Sequence, residues 1–495
     1  MSAKGTSLLL VVILLLAVVA VVAAIVHAAP ASISSLNRTA PSHIPHLAHQ
    51  TLALTLTITT NGGRNFATTE PQVILEGTCS PIRPVYVNGS TLDVSYPTTI
   101  TWRYSTTLWT RDNHFVVTDG VDSRAITVYW DYFHGGLLTD DLTLLTSACP
   151  YTITADIQVS ATAALTIQPG VTLRLEAGRS LWVGPGGRLA AAGAPTQPIT
   201  FTRAGPDPWG AIVLEDSQAD NHILHATVEY AHAAAHDPDL HGITALDSRL
   251  RVEQSTIRYL GGRGLTLVDS QTRVAGNLIH GVAEDGLYVL RGALTASDNH
   301  IHGSGGDCVD LDGAIAAAQR NRLHHCAQSG LRARNSASTT LTNTLVYTCA
   351  QGVAVEDGAH ARILHATLAD NQTGLLLHSS QAGSGGSAEL INSILWGNET
   401  ALTTTAGSVV TVTYSDVAGG WPGEGNGDAD PLFRSPTGHD YRLPADSPCV
   451  DAGTPVGAPA DDIAGVPRPQ GVGYDQGAHE YREFAAYLPL VLHVV

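Results

Sequence analysis

The sequence predicts an all-β protein: a parallel solenoid of 22-residue coils that follows a smaller β-sandwich. Three observations predict it. First, four columns keep one register at 22-residue spacing. They are Ser255, Asn277, Asn299, Asn321, Asn343 and His365; Gly264, Gly286, Cys308, Gly330, Gly352 and Gly374; Leu265, Leu287, Val309, Leu331, Val353 and Leu375; and Ile257, Ile279, Ile301, Leu323, Leu345 and Thr367. A repeat held over that length is the mark of stacked units that bury one continuous core. Second, residues alternate within a unit: Leu287 and Val289 flank Tyr288, and Val309 and Leu311 alternate with Asp310 and Asp312. Alternation is strand periodicity, and 22 residues are too few for two stable helices. Third, residues 48–135 carry short alternating runs separated by Asn61-Gly62-Gly63, Asn88-Gly89 and Asp119-Gly120, which is the spacing of an antiparallel sandwich of about seven strands.

Each element has a chemical reason. An Asn stacked at a buried coil corner can hydrogen-bond the Asn of the next coil, for a net gain of about 1 kcal/mol per bond. The register of the Asn, Gly and apolar columns resembles the right-handed parallel β-helix of the pectate-lyase-like superfamily. That resemblance implies the fold and leaves the activity open, because the fold hosts many chemistries. The motifs Thr60-Asn61-Gly62-Gly63, Glu76-Gly77 and Val87-Asn88-Gly89 resemble bacterial immunoglobulin-like modules of surface proteins.

The chain of 495 residues divides into 1–29, 30–47, 48–135, 136–420, 421–482 and 483–495. The first segment carries an apolar run from residue 8 to 26 after Lys4, then Val26-His27-Ala28. It reads as a cleaved signal peptide or a retained signal anchor, and either places the bulk of the protein outside the cytoplasm. Residues 30–47 read as a linker rich in Pro, Ser, Ala and His. The β-helix occupies 136–420, with 137–151 expected to cap its lower end. Insertions at 232–241 and 381–386 interrupt the register and are expected to be loops bordering a binding face. From Asp428-Ala429-Asp430-Pro431 through Ser447-Pro448-Cys449 and Gly465-Val466-Pro467-Arg468-Pro469 to Asp475-Gln476-Gly477, the chain resembles the terminal region of choice-of-anchor Q proteins. That resemblance implies secretion or surface display. The segment is expected to lie across the upper end of the solenoid. The tail 483–495 is apolar and too short to span a bilayer.

The net charge of −18 and the absence of a basic block argue against nucleic acid as a partner. The partner that fits is a polysaccharide or cell-surface glycan, with a membrane involved only through the N-terminal segment. Of six cysteines, Cys326 and Cys349 lie 23 apart, about one coil. They read either as a disulfide between adjacent coils or as two small buried corner residues.

Candidate chemistry falls on the strand after the Gly column. Its outward positions stack Tyr288, Asp310 and Arg332 in one column and Asp312, Arg334 and Glu356 in the next. Paired acids, guanidinium groups and a ring make a sugar-binding surface, with Tyr288, Arg334 and Glu356 in the binding role. The bland alternative is a set of ordinary exposed ion pairs. Asp310 and Asp312 could share Ca²⁺, the one cofactor the pattern suggests, or act as acid and base. A catalytic reading adds Asp307, Arg332 and His302. Gly305-Gly306-Asp307-Cys308 resembles the Gly-Asp-Asp-Cys motif of polygalacturonases, with Gly306 where the first Asp belongs, so only Asp307 carries over. His280, His302 and His324 form a further column, at a spacing wider than two ligands of one tetrahedral metal prefer. Two functions follow: an exported carbohydrate-binding or structural protein, preferred because no complete catalytic motif is present; or a polysaccharide lyase, hydrolase or epimerase.

Overall fold

A computed structural model describes residues 55–482, apart from 69, 111, 131–132, 236 and 381–383. The leader, the linker 30–47 and the tail 483–495 lie outside the described residues.

Alternating sequences in the sandwich give seven strands in two sheets. Gln72–Thr78, Thr101–Thr107 and Val94–Thr98 form one, and Phe66–Thr68, Ser123–Trp130, Asp112–Thr118 and Tyr86–Val87 the other. Leu75, Trp102, Val117, Ile126 and Val128 bury their side chains between them. One pairing departs from the antiparallel expectation: Phe66–Thr68 runs parallel to Ser123–Trp130.

The β-helix consists of three parallel sheets of 12 strands each. Each coil contributes in turn one strand to a first, a second and a third sheet; Leu287–Leu290, Ala293–Ser297 and His300–Ser304 make one such coil. Inward positions are apolar, and the core runs unbroken from Phe133 to Val417. Gly–Gly stacking brings successive backbones close: a Cβ on Gly264 would lie 2.4 Å from the carbonyl oxygen of Gly286.

The Asn ladder forms as expected over three coils. Asn277 donates from its backbone N–H and from Nδ2 to Oδ1 of Asn299, both at 3.0 Å, and Asn299 does the same to Asn321. It stops there. Ile315 pairs with Ser338 and Arg322 with Leu345, a spacing of 23. The extra residue sits at the corner holding Asn335 and Ser336, both at positive φ. The next first-sheet strand is back in register, with Leu331 opposite Val353. Asn343 and His365 therefore occupy the left-handed corner position that Arg320 holds one coil earlier, and Leu345 and Thr367 turn outward while Val346 and Leu368 fill the core.

Three further expectations are corrected. Residues 137–151 do not cap the lower end as a separate unit: Gly136–Leu138 and Leu142–Leu144 are the first strands of the first and second sheets. The terminal segment covers the upper end only in part. Val417 donates to Gly427 and Tyr414 to Glu424, but beyond that the segment packs along the outer face of the third sheet. There Tyr441 bonds Asp370, Asn343 bonds Asp461, His365 bonds Asp475 and Asn392 bonds Thr454. Lastly, the disulfide joins Cys308 to Cys326 with Cα atoms 5.6 Å apart. The two cysteines sit at successive corners between the third and first sheets, whereas Cys349 remains a buried thiol donating to the Tyr347 carbonyl. Burial pushes that thiol up to about 11.

Candidate functional site

The candidate face is the outer surface of the first sheet. Strand pairing places Tyr288 beside Asp310 and Asp310 beside Arg332, and likewise Leu290 beside Asp312 and Asp312 beside Arg334. The intervening Leu287, Val309, Leu331 and Val353 anchor the strands in the core. The insertion at 232–241 folds as a hairpin of Ala233–Ala234 and Asp237–His241. Ala234 and Leu240 pack on Ala211 and Val213 of the first sheet, so the hairpin borders the face from its lower end. At the upper end Gly386 returns to donate to His378.

The ion pairs run diagonally rather than straight up the columns. Arg334 grips Asp310 with Nε at 3.2 Å and Nη2 at 3.0 Å, and reaches Asp312 with Nη1 at 2.8 Å. Arg332 turns upward to Glu356, with Nη2 at 2.8 Å. Asp312 also accepts from Asn335 Nδ2 at 2.7 Å and from the Tyr288 hydroxyl at 3.4 Å. Arg263 lies over the Tyr288 ring, 4.2 Å from its centroid. These pairs are not the exposed kind: side-chain exposure is 23% for Arg334, 6% for Asp310 and 14% for Asp312. Burial raises the Asp310 carboxyl above the usual range, with Arg334 acting against the shift. Burial works against the Arg334 charge, but its bonds to Asp310 prevail and its pKa is raised. Burial raises Tyr288 as well.

The other sequence candidates lie elsewhere. Asp307 sits at the corner between the third and first sheets and is 1% exposed. Its Oδ1 accepts the Ser329 N–H at 2.5 Å, and its own N–H donates to Asp285 at 2.9 Å. Burial pushes its carboxyl up to about 6. Its burial keeps it off the outer face that carries Asp310 and Asp312. His302 belongs to the third sheet and does not join the acids. It stacks between His280 at 5.1 Å and His324 at 4.9 Å, and the stack continues through Tyr347 to His439 of the terminal segment. Burial lowers the pKa of His302 and brings those of His300 and His324 down to about 4 and about 3. Among the described residues no group of three His, Cys, Asp or Glu converges as metal ligands. Asp310 and Asp312 already share the Arg334 guanidinium, an arrangement that competes with a shared cation.

Sequence reasoning missed Arg263 and Asn335. Both sit at coil corners, where strand alternation gives no direction. Arg263 stands one residue before the Gly column, the one available signal.

The family model described as "Right handed beta helix region" matches residues 241–413. No curated protein matches. Among solved structures, pectate lyase Pel9A is similar over 65% of this chain and 88% of its own, at 12% identity and a TM-score of 0.40. The A-module of mannuronan C-5 epimerase AlgE4 from Azotobacter vinelandii covers 56% of this chain and 91% of its own, at 14% identity and a TM-score of 0.36. An alginate lyase from Paenibacillus sp. covers 49% of this chain and 92% of its own, at 15% identity and a TM-score of 0.30. The matched region lies within the three parallel sheets of the solenoid, a right-handed parallel β-helix.

Proposed function

We propose that this is an exported extracellular or cell-surface protein whose β-helix binds a polysaccharide on the outer face of its first sheet. The observation that carries this reading is the half-buried lattice of Arg334, Asp310 and Asp312 beside Tyr288. Its side chains are fixed before a ligand arrives, so little side-chain entropy is lost on binding. Charged groups held in place make strong hydrogen bonds to hydroxyls, and Arg332, Arg334, Glu356 and Tyr288 supply donors, acceptors and a ring. Export rests on the apolar run 8–26, and surface display on the likeness of 421–482 to choice-of-anchor Q proteins.

The lyase, hydrolase or epimerase reading has less support. Its proposed acids are either buried or closed by a guanidinium, and His302 lies on another sheet. The deciding experiment titrates purified protein with neutral and uronate oligosaccharides, with and without Ca²⁺, while unsaturated products and reducing ends are followed. Binding that is lost in Tyr288→Ala and Arg332→Ala, without product, is the expected result. Product formation abolished by Asp310→Asn would establish the enzyme instead. Binding unchanged in both binding-face variants would remove the first sheet from consideration.

A further inference from the structure

A cleft of ≈ 810 Å³ runs along the outer face of the second sheet, away from the acid-rich face. It crosses six coils, from the strand Asn221–Leu224 to the strand Ser338–Thr342, or about 24 Å at the rise of stacked strands. Its floor is made of short outward side chains, among them Ala293, Thr295 and Ala317. Its lower end is basic, although the protein carries a net charge of −18. Arg249, Arg251 and Arg273 line it there. Arg251 is paired with Asp220 at 3.0 Å and Arg273 with Glu253 at 3.0 Å. Arg249 makes no ion pair among the described residues, and Arg188 donates only to the Asp220 carbonyl at 3.3 Å. Arg249 in the lining and Arg188 beside it therefore carry charges with no carboxylate partner among the described residues.

We propose that this second-sheet cleft binds an acidic polysaccharide, a uronate chain laid along the solenoid axis with carboxylates at Arg249, Arg251 and Arg273. Arg249 and Arg251 stand on one strand and Arg273 lies beside Arg251 on the next, so the guanidinium groups meet carboxylates at the lower end of the chain. Planar guanidinium forks match carboxylates in two-point contacts. The short floor admits the rings, and the local positive field draws in an anion that the rest of the surface repels. The site extends carbohydrate recognition to a second face and is separable from the first.

The test uses the purified full chain and fluorescently labelled uronate oligomers. Neutral oligomers of equal length and a single-stranded oligonucleotide of equal charge serve as controls. Uronate binding is expected, weakening as salt rises from about 50 to about 200 mM. Arg249→Glu, at an unpaired and exposed position, should weaken it about tenfold or more. Thr295→Trp should block the cleft without changing charge, and Val472→Ser, at an exposed position of the terminal segment, should leave uronate binding intact. Binding of neutral oligomers or of the oligonucleotide that Arg249→Glu weakens to the same extent would overturn the assignment. So would uronate binding indifferent to Arg249→Glu and Thr295→Trp, or lost only in Tyr288→Ala. Absence of uronate binding together with a dimer that Arg249→Glu dissociates would give the cleft to a second copy of the chain and refute the proposal.

Discussion

Replacing Arg334 by Met keeps most of the side chain's volume and removes the guanidinium that closes Asp310 and Asp312. Asp312 keeps Asn335 and the Tyr288 hydroxyl. Asp310 loses both of its side-chain hydrogen bonds and, at 6% side-chain exposure, has little water to replace them. Breaking a buried pair from one side costs about 3–5 kcal/mol. The lower end applies here, because Arg332 stands in the neighbouring column position and Arg334 is itself partly exposed. The deficit depends on pH. The Asp310 carboxyl is already raised by burial in the intact protein, and without Arg334 it rises further. A raised carboxylate costs stability above its folded pKa, and the cost is relieved as pH falls through that value. Urea unfolding of Arg334→Met should show a loss of about 3 kcal/mol at neutral pH that shrinks in mild acid, and adding Asp310→Asn should recover most of it. A loss below about 0.5 kcal/mol would place the pair among surface contacts of no consequence. A deficit of equal size at both pH values, or no rescue by Asp310→Asn, would refute the buried-charge account.

Three other outcomes are expected. Asn299→Ala removes the acceptor for the Asn277 N–H and Nδ2 and the donor to the Val274 carbonyl, so urea unfolding should show a loss of about 2–3 kcal/mol. His365 is held neutral by burial, with its pKa brought down to about 3. Its contribution is complete above the unfolded value near 6.5 and is lost as pH falls, by about 2 kcal/mol between pH 6.5 and 5; His365→Gln should flatten that part of the stability–pH curve. Peptide mapping without reductant should find Cys308 joined to Cys326 and Cys349 alkylated only after unfolding. Breaking the bridge, whose cysteines are 18 apart in sequence, should cost about 3 kcal/mol.

The columns of Tyr288, Asp310, Arg332 and Arg334 could be read from the sequence because the first sheet keeps its 22-residue register on both sides of the slip. The slip itself is hidden by chance likeness. Asn343 continues the count from Asn321 and Leu345 from Leu323, yet each turns out one position away from the residue it imitates. An added residue at the corner between the first and second sheets and a lost one at the corner between the third and first leave strand alternation undisturbed, so periodicity carries no trace of either. Diagonal pairing was illegible for a different reason: column stacking fixes Cα neighbours, while a long guanidinium chooses among several carboxylates within reach. A corner separates His302 from Asp310 and places them on different sheets, which the column count alone does not show.

The rotated positions have a mechanical consequence. Asn343, His365 and Asn392 come from three successive windings, and all are fastened to one terminal strap. A solenoid without such a strap can fray rung by rung from its open end. Here the top winding cannot peel away until the strap lets go of those beneath it, so the upper third should open as one cooperative block with uniform hydrogen-exchange protection.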